Sequence, residues 1–220
     1  MMRTRNIIAL LKNDGYKVVV FYFVFNLFVD LISHLLPGSD ITLQTGSPLS
    51  LNLVIAGILS IVIATFSTAA AIGSFDDLVN NKMATLNSFM SNGRRFFLGT
   101  LGYGIIYGIP IALATIIPLL LVVFLFFGFA NSSAISVLTE IVVGIAIEGF
   151  ALPYIVLNVL KKSTKGFVRE NYRLLLASGI IAALLLHIPL VGKYMVLLFN
   201  SIYYLLILTL QNDRNSSLYK

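Results

Sequence analysis

"LGTLGYGIIYGIPIALATIIPLLLVVFLFF", residues 98–127, contains no Asp, Glu, Lys, Arg or His. A bilayer core takes about 20 apolar residues in helical form, so the stretch reads as a membrane span. The rest of the chain agrees with it. Of 220 residues, 58% are hydrophobic and 11% are charged, where a soluble domain carries about 25% charged residues. Mean hydropathy is +0.95. No polar stretch reaches domain length, so a soluble catalytic domain within these residues is excluded. There is no cysteine, which removes disulfide and thiolate chemistry and leaves the redox compartment open. The opening "MMRTRNIIALLKNDGYK" has too short an apolar core for a secretory signal.

Working outward, the pattern predicts an all-α, polytopic membrane helix bundle with six transmembrane helices, forming one integral membrane domain over 1–220. The expected spans are 18–36, 51–73, 98–127, 136–160, 174–192 and 194–210. "PGSDITLQTGSPLS" (37–50), rich in Gly, Pro and Ser, is a loop, as is "GFANSSA" (128–134). The basic segment "KKSTKGFVRENYR" (161–173) divides the fourth span from the fifth. "HIPLVGKY" (187–194) is a tight turn between the last two, for which a re-entrant hairpin is the competing reading. Fourteen of the 15 Lys and Arg residues fall on one side of this layout, and only Lys193 falls on the other. The positive-inside rule then puts both termini in the cytoplasm, which suits a multi-pass protein of the inner cell membrane. The net charge of +6 is largely this topology signal, with anionic lipid headgroups as its expected partners. No nucleic-acid partner is expected.

Three entries into the membrane look alike: "NDGYKVVVF" (13–21), "SNGRRFFLG" (91–99) and "RENYRLLLA" (169–177). Each places small or amide residues before a basic one, then an apolar run. They suggest three hairpins led in by amphipathic helices on the cytoplasmic surface. The third span is too long, since residues 98–127 as a straight helix would run about 45 Å against a core of about 30 Å. Pro110 and Pro118 each remove an internal hydrogen bond and are the expected hinge, with a bend between Tyr107 and Pro118. Gly99, Gly104 and Gly108 on this span, and Gly144 on the fourth, are expected helix-packing positions, Gly104 and Gly108 forming a small-xxx-small step. A broken transporter helix with a site at the break is the alternative.

Polar groups in lipid are costly and face protein or water. Asn26, Asp30 and His34 lie four apart on the first span, which keeps them on one side of a helix. Glu140, Gly144 and Glu148 make a second such stripe, and His187 ends the fifth span. The charge-derived topology puts Asp30, His34, Glu140 and His187 at similar depth near the outer face. Glu148 falls near mid-membrane with no cation at its depth, and so is expected to be neutral. Three roles compete for these groups. They can fix helix register by hydrogen bonds, or form a proton or cation path, or bind a metal such as zinc through His34, His187, Asp30 and Glu140, whose ligand types suit it. No catalytic residue is identified, because G-x-S-x-G, H-E-x-x-H and the P-loop are all missing. No cofactor is expected. Asp76 and Asp77 are expected to cap the helix that follows them.

The Pro-containing third span and the fourth, with "ALPYIVLNVL" (151–160) running into "KKSTKGFVRENYRLLLASGI", resemble small six-span inner-membrane proteins of the YciC type. The layout is also similar to the membrane domain fused ahead of some glycerophosphodiester phosphodiesterases. Pro153 and the basic run from Lys161 to Arg173 match the proline and basic segment of those families, while their third-span Pro-Gly occurs here as proline without the glycine. The resemblance implies a fold more than an activity, and the phosphodiesterase catalytic domain is not expected. A non-enzymatic membrane subunit or accessory protein is the leading expectation, acting in a homo-oligomer or larger membrane complex. A small-solute or ion transporter using the acidic residues is the alternative.

Overall fold

In lipid, a helix satisfies every backbone N–H and C=O within one segment, and the described residues follow that rule. A computed structural model describes residues 7–35, 51–127, 132–189 and 191–218, and every regular element among them is helical. In chain order these are α1 (Tyr16–Leu35), α2 (Leu51–Val79), α3 (Leu86–Tyr103), α4 (Ile109–Phe127), α5 (Ser132–Ala146), α6 (Leu152–Val159), α7 (Phe167–Leu186) and α8 (Gly192–Leu218). Four continuous stretches among them are long and apolar enough to cross a membrane: Gly57–Val79, Leu86–Leu121, Val137–Val159 and Gly192–Arg214. The chain is therefore an all-α protein of membrane type.

Three π-helical turns, Leu11–Gly15, Gly104–Gly108 and Ile147–Ala151, interrupt the α geometry. The second joins α3 to α4, and the third joins α5 to α6. Each of these two ends two residues before a proline, Pro110 and Pro153 respectively. The coincidence has a physical cause. A proline offers no N–H to the carbonyl four residues back, and its ring crowds that carbonyl. A widened turn lets carbonyls reach a donor five residues on, as Leu152 N–H does to the Ile147 carbonyl. The irregularity of the third span thus lies at Gly104–Gly108, which overlaps the expected interval of Tyr107 to Pro118 at Tyr107 and Gly108. Pro118 sits inside α4, which continues through it to Phe127.

The two compact units of the chain are Met1–Phe97 and Leu98–Lys220. In the first, α1 packs along α2. Asn26 Nδ2 donates to Ser67 Oγ at 3.1 Å and to the Tyr22 carbonyl at 2.8 Å, which ties the two helices inside an otherwise apolar contact. The core holds Val18, Tyr22, the run Ala69–Ala70–Ala71, Ile72, Phe75 and Phe89. Phe89 meets Phe21 edge-on and Phe25 at a tilt, each at a centroid distance of 5.6 Å. Gly73 leaves room for the Phe96 ring, 2.7 Å from where a β-carbon would stand.

The segment before the third span is amphipathic, but it forms no separate surface helix. It runs without interruption into the span, as the continuous stretch Leu86–Leu121 shows. Its start is capped by Thr85. Thr85 Oγ1 accepts from Ser88 N–H at 3.1 Å, and Ser88 Oγ accepts from Thr85 N–H at 2.9 Å, a reciprocal capping box. Asp76 and Asp77 do not cap this helix, because α2 extends past them to Val79. Asp77 instead accepts from Lys82 at 3.0 Å and from Asn92 at 2.8 Å.

In the second unit, α5 and the π turn Ile147–Ala151 pack against α7, α7 against α8, and α4 against α5. The α5–α7 crossing brings backbones close together. A β-carbon on Gly179 would lie 2.8 Å from the Ile145 carbonyl oxygen, and one on Gly149 would lie 3.2 Å from the Leu175 carbonyl oxygen. With no hydrophobic drive between helices in lipid, such small-residue contact is a main source of association. At the other end, Gln211 Nε2 donates to the Ser163 carbonyl at 3.1 Å, and Arg214 Nε lies 3.1 Å from Glu170 Oε2. The first fastens α8 to the basic turn between α6 and α7, and the second fastens it to the first turn of α7.

Candidate buried polar site

Glu148 lies in the π turn Ile147–Ala151, one residue before Gly149, which faces the α7 backbone. Asn200 of α8, which is buried, donates through Nδ2 to Glu148 Oε1 at 3.1 Å. That is the hydrogen bond Glu148 makes. Its Oε2 is buried and has no partner, as are Asn200 Oδ1 and the Tyr203 hydroxyl. Tyr203 stands three residues beyond Asn200, on the same side of α8, within electrostatic reach of Glu148. Its ring stacks on Phe199 at 5.9 Å. The site is therefore one carboxyl, one amide and one phenol, holding a single hydrogen bond and three unsatisfied oxygens. Such unsatisfied groups are rare in native interiors and call for an explanation.

The two π turns beside prolines lie against each other in this unit. Tyr107, in the first, stacks on Tyr154 of α6 at 5.4 Å and on Tyr103 at 6.0 Å. Aromatic faces thus fill the space where two helices lose regular geometry.

At the start of this crossing, His187 Nε2 lies 3.7 Å from Glu140 Oε2, and His187 Nδ1 is 2.8 Å from the Ala183 carbonyl. The structure thus brings together two of the four residues expected at the outer face. Asp30 lies on α1 in the first unit. His34 also lies on α1, but its side chain is outside the described residues. Among the described residues, no group of three or more His, Asp or Glu is placed to hold a metal ion.

The glycines divide. Gly144 packs on Ala183, with 3.6 Å between β-carbon positions, and Gly99 approaches Val159 at 3.9 Å, whereas Gly104 and Gly108 have nothing within 4 Å. Neither Gly149 and Gly179 nor Asn200 and Tyr203 stood out in the sequence. The usable signal was Asn200 itself, an amide within an apolar span, which seeks a partner.

No family model, curated protein or solved structure matches this chain. Function is therefore argued from the geometry alone.

Proposed function

We propose that the chain is a non-enzymatic integral membrane subunit or accessory protein that works by helix packing, with a second copy of itself or with partner subunits. The observation that carries this reading is the third span. Its apolar window within Leu86–Leu121 has none of its residues buried, whereas the other three candidate spans are 44–56% buried. On that same helix, Gly104 and Gly108 face open space, which lets another helix approach closely. We further infer six spans in the inner membrane with both termini cytoplasmic, and kinship in layout with the YciC-type proteins, from the charge distribution and the basic run after Pro153.

The absence of cysteine makes the test direct. Gly104→Cys and Gly108→Cys, introduced singly, should give disulfide-linked species in native membranes, while Leu113→Cys on the same helix should give less. If neither glycine position links and the protein is a monomer in mild detergent, the reading fails. A second reading, a small-solute or ion transporter, is favoured by the buried Glu148 contact. Solute uptake in proteoliposomes that is lost in Glu148→Gln with unchanged thermal stability would replace the first reading with it.

A further inference from the structure

We propose that Glu148, Asn200 and Tyr203 form a proton-binding site, in which one proton resides on Glu148 Oε2 and is shared with an oxygen of Asn200 or Tyr203. The inference rests on the hydrogen-bond count where the π turn Ile147–Ala151 meets α8 and is independent of how the protein packs with others.

With Glu148 ionised, the contact holds a carboxylate with four acceptor sites and an amide oxygen against three donor hydrogens, the two of Asn200 Nδ2, one of them used by Oε1, and that of the Tyr203 hydroxyl. Oε2 and Asn200 Oδ1, the other oxygens of two side chains already joined through Oε1 and Nδ2, are both acceptors and both orphaned. A single proton on Oε2 converts it to a donor. The acid and the amide can then pair through two hydrogen bonds, Asn200 Nδ2–H to Oε1 and Oε2–H to Oδ1, or Oε2–H can reach the Tyr203 oxygen. No atom need move far, because the first of these bonds is already in place at 3.1 Å.

Nothing else nearby supplies that charge balance. Among the described residues, no Lys, Arg or His pairs with Glu148. On α5, Glu140 lies eight residues back, about 12 Å along a helix, beside His187. Tyr107 and Tyr154, on the π turn and the helix packed nearby, are stacked on each other. On α7, Arg173 donates to the Tyr172 hydroxyl at 2.9 Å, Glu170 holds Arg214, and Arg169 is exposed. On α8, Lys193 lies over the Tyr194 ring at 4.9 Å, and Tyr204 is buried one residue past Tyr203. The α4 helix carries no ionisable side chain. The π turn gives the site a further property, since widened turns of this kind are frequent where function needs a departure from regular geometry.

The test is infrared spectroscopy of the purified full chain in detergent, reading the C=O stretch of protonated carboxyls from acid to alkaline pH. Wild type should show one such band at neutral pH that bleaches reversibly as pH rises. In Glu148→Gln that band should be absent at every pH, with the fold kept, because the new amide supplies a donor where the proton stood. Asn200→Ala should keep the band at a shifted frequency, since Oε1 and the shared proton each lose a partner. Carboxyl regions of wild type and Glu148→Gln that superimpose across the whole pH range would overturn the proposal. So would bleaching at fixed pH on adding sodium chloride, which would make the site one for a metal cation.

Discussion

Gly179→Ala tests a close helix contact in the second unit. The new β-carbon would lie 2.8 Å from the Ile145 carbonyl oxygen and 3.1 Å from Gly149 N, where ordinary contact begins at 3.4 Å. Both obstacles are backbone, so no rotamer change relieves them, and α5 and α7 must separate by about 0.6 Å. Overpacking of this kind costs about 1–3 kcal/mol. Alanine recovers up to about 1 kcal/mol of helix propensity over glycine. The net expectation is a destabilisation of about 1–2 kcal/mol. At about 2–4 °C per kcal/mol for a chain of this size, the midpoint of thermal unfolding in mild detergent should fall by about 2–8 °C. Gly104→Ala is the matched control, because open space surrounds that position, and it should leave the midpoint unchanged or raise it. A Gly179→Ala protein as stable as wild type would refute the close approach of α7 to Ile145 and Gly149.

Two further outcomes are expected. The Lys17 ammonium, 2.6 Å from Asp14 Oδ1, holds the Asp14 carboxyl below its ordinary range through its hydrogen bond and its charge, with a smaller contribution from the Ala84 N–H. A carboxyl whose folded value is lowered adds stability above the unfolded value of 3.8 and loses it as pH falls through the lowered one. The midpoint difference between wild type and Asp14→Asn should thus be constant near neutrality and close to zero in strong acid; a difference that grows on acidification would refute the pairing. For topology, reporters inserted near Lys82 or fused after Lys220 should register cytoplasm, and one near Gly46 the opposite side, so a cytoplasmic signal at Gly46 would overturn the six-span layout.

The membrane character was legible because composition alone carries it: a run such as residues 98–127 admits no other solvent. One polar pairing was legible, because helical rise and the span boundaries put Glu140 and His187 at the same level of two packed helices. That is why Glu140 and His187, 47 positions apart, come within 3.7 Å of each other. Rotation about the helix axis was less readable. Asn26 proved to face α2 through Ser67, but nothing local marked Ser67 as its partner. Asn200 lies 52 positions from Glu148, and its pairing depends on how α8 is turned. Helix ends misled where polarity was taken as an exit: Asp76 and Asp77 sit within α2 because Lys82 and Asn92 satisfy Asp77 there. Likewise, the bend was expected from Tyr107 to Pro118, whereas the irregular turn begins at Gly104, because the carbonyl that loses the Pro110 N–H lies in the preceding turn.

The π turns at Gly104–Gly108 and Ile147–Ala151 also bear on how this chain tolerates changes of length. Each amounts to one residue more than an α-helix needs, and one residue is about 100° of azimuth. The segments on either side are therefore out of phase, so the four-step row of Glu140, Gly144 and Glu148 does not simply extend beyond Glu148. Deleting one residue inside such a turn would return it to α geometry and leave the flanking faces where they are. The same deletion between Asn200 and Tyr203 in α8 would swing Tyr203 away from Asn200's side of the helix. Length variation in this protein is thus admissible at two internal places, both marked by a proline two residues downstream, and inadmissible along the last helix.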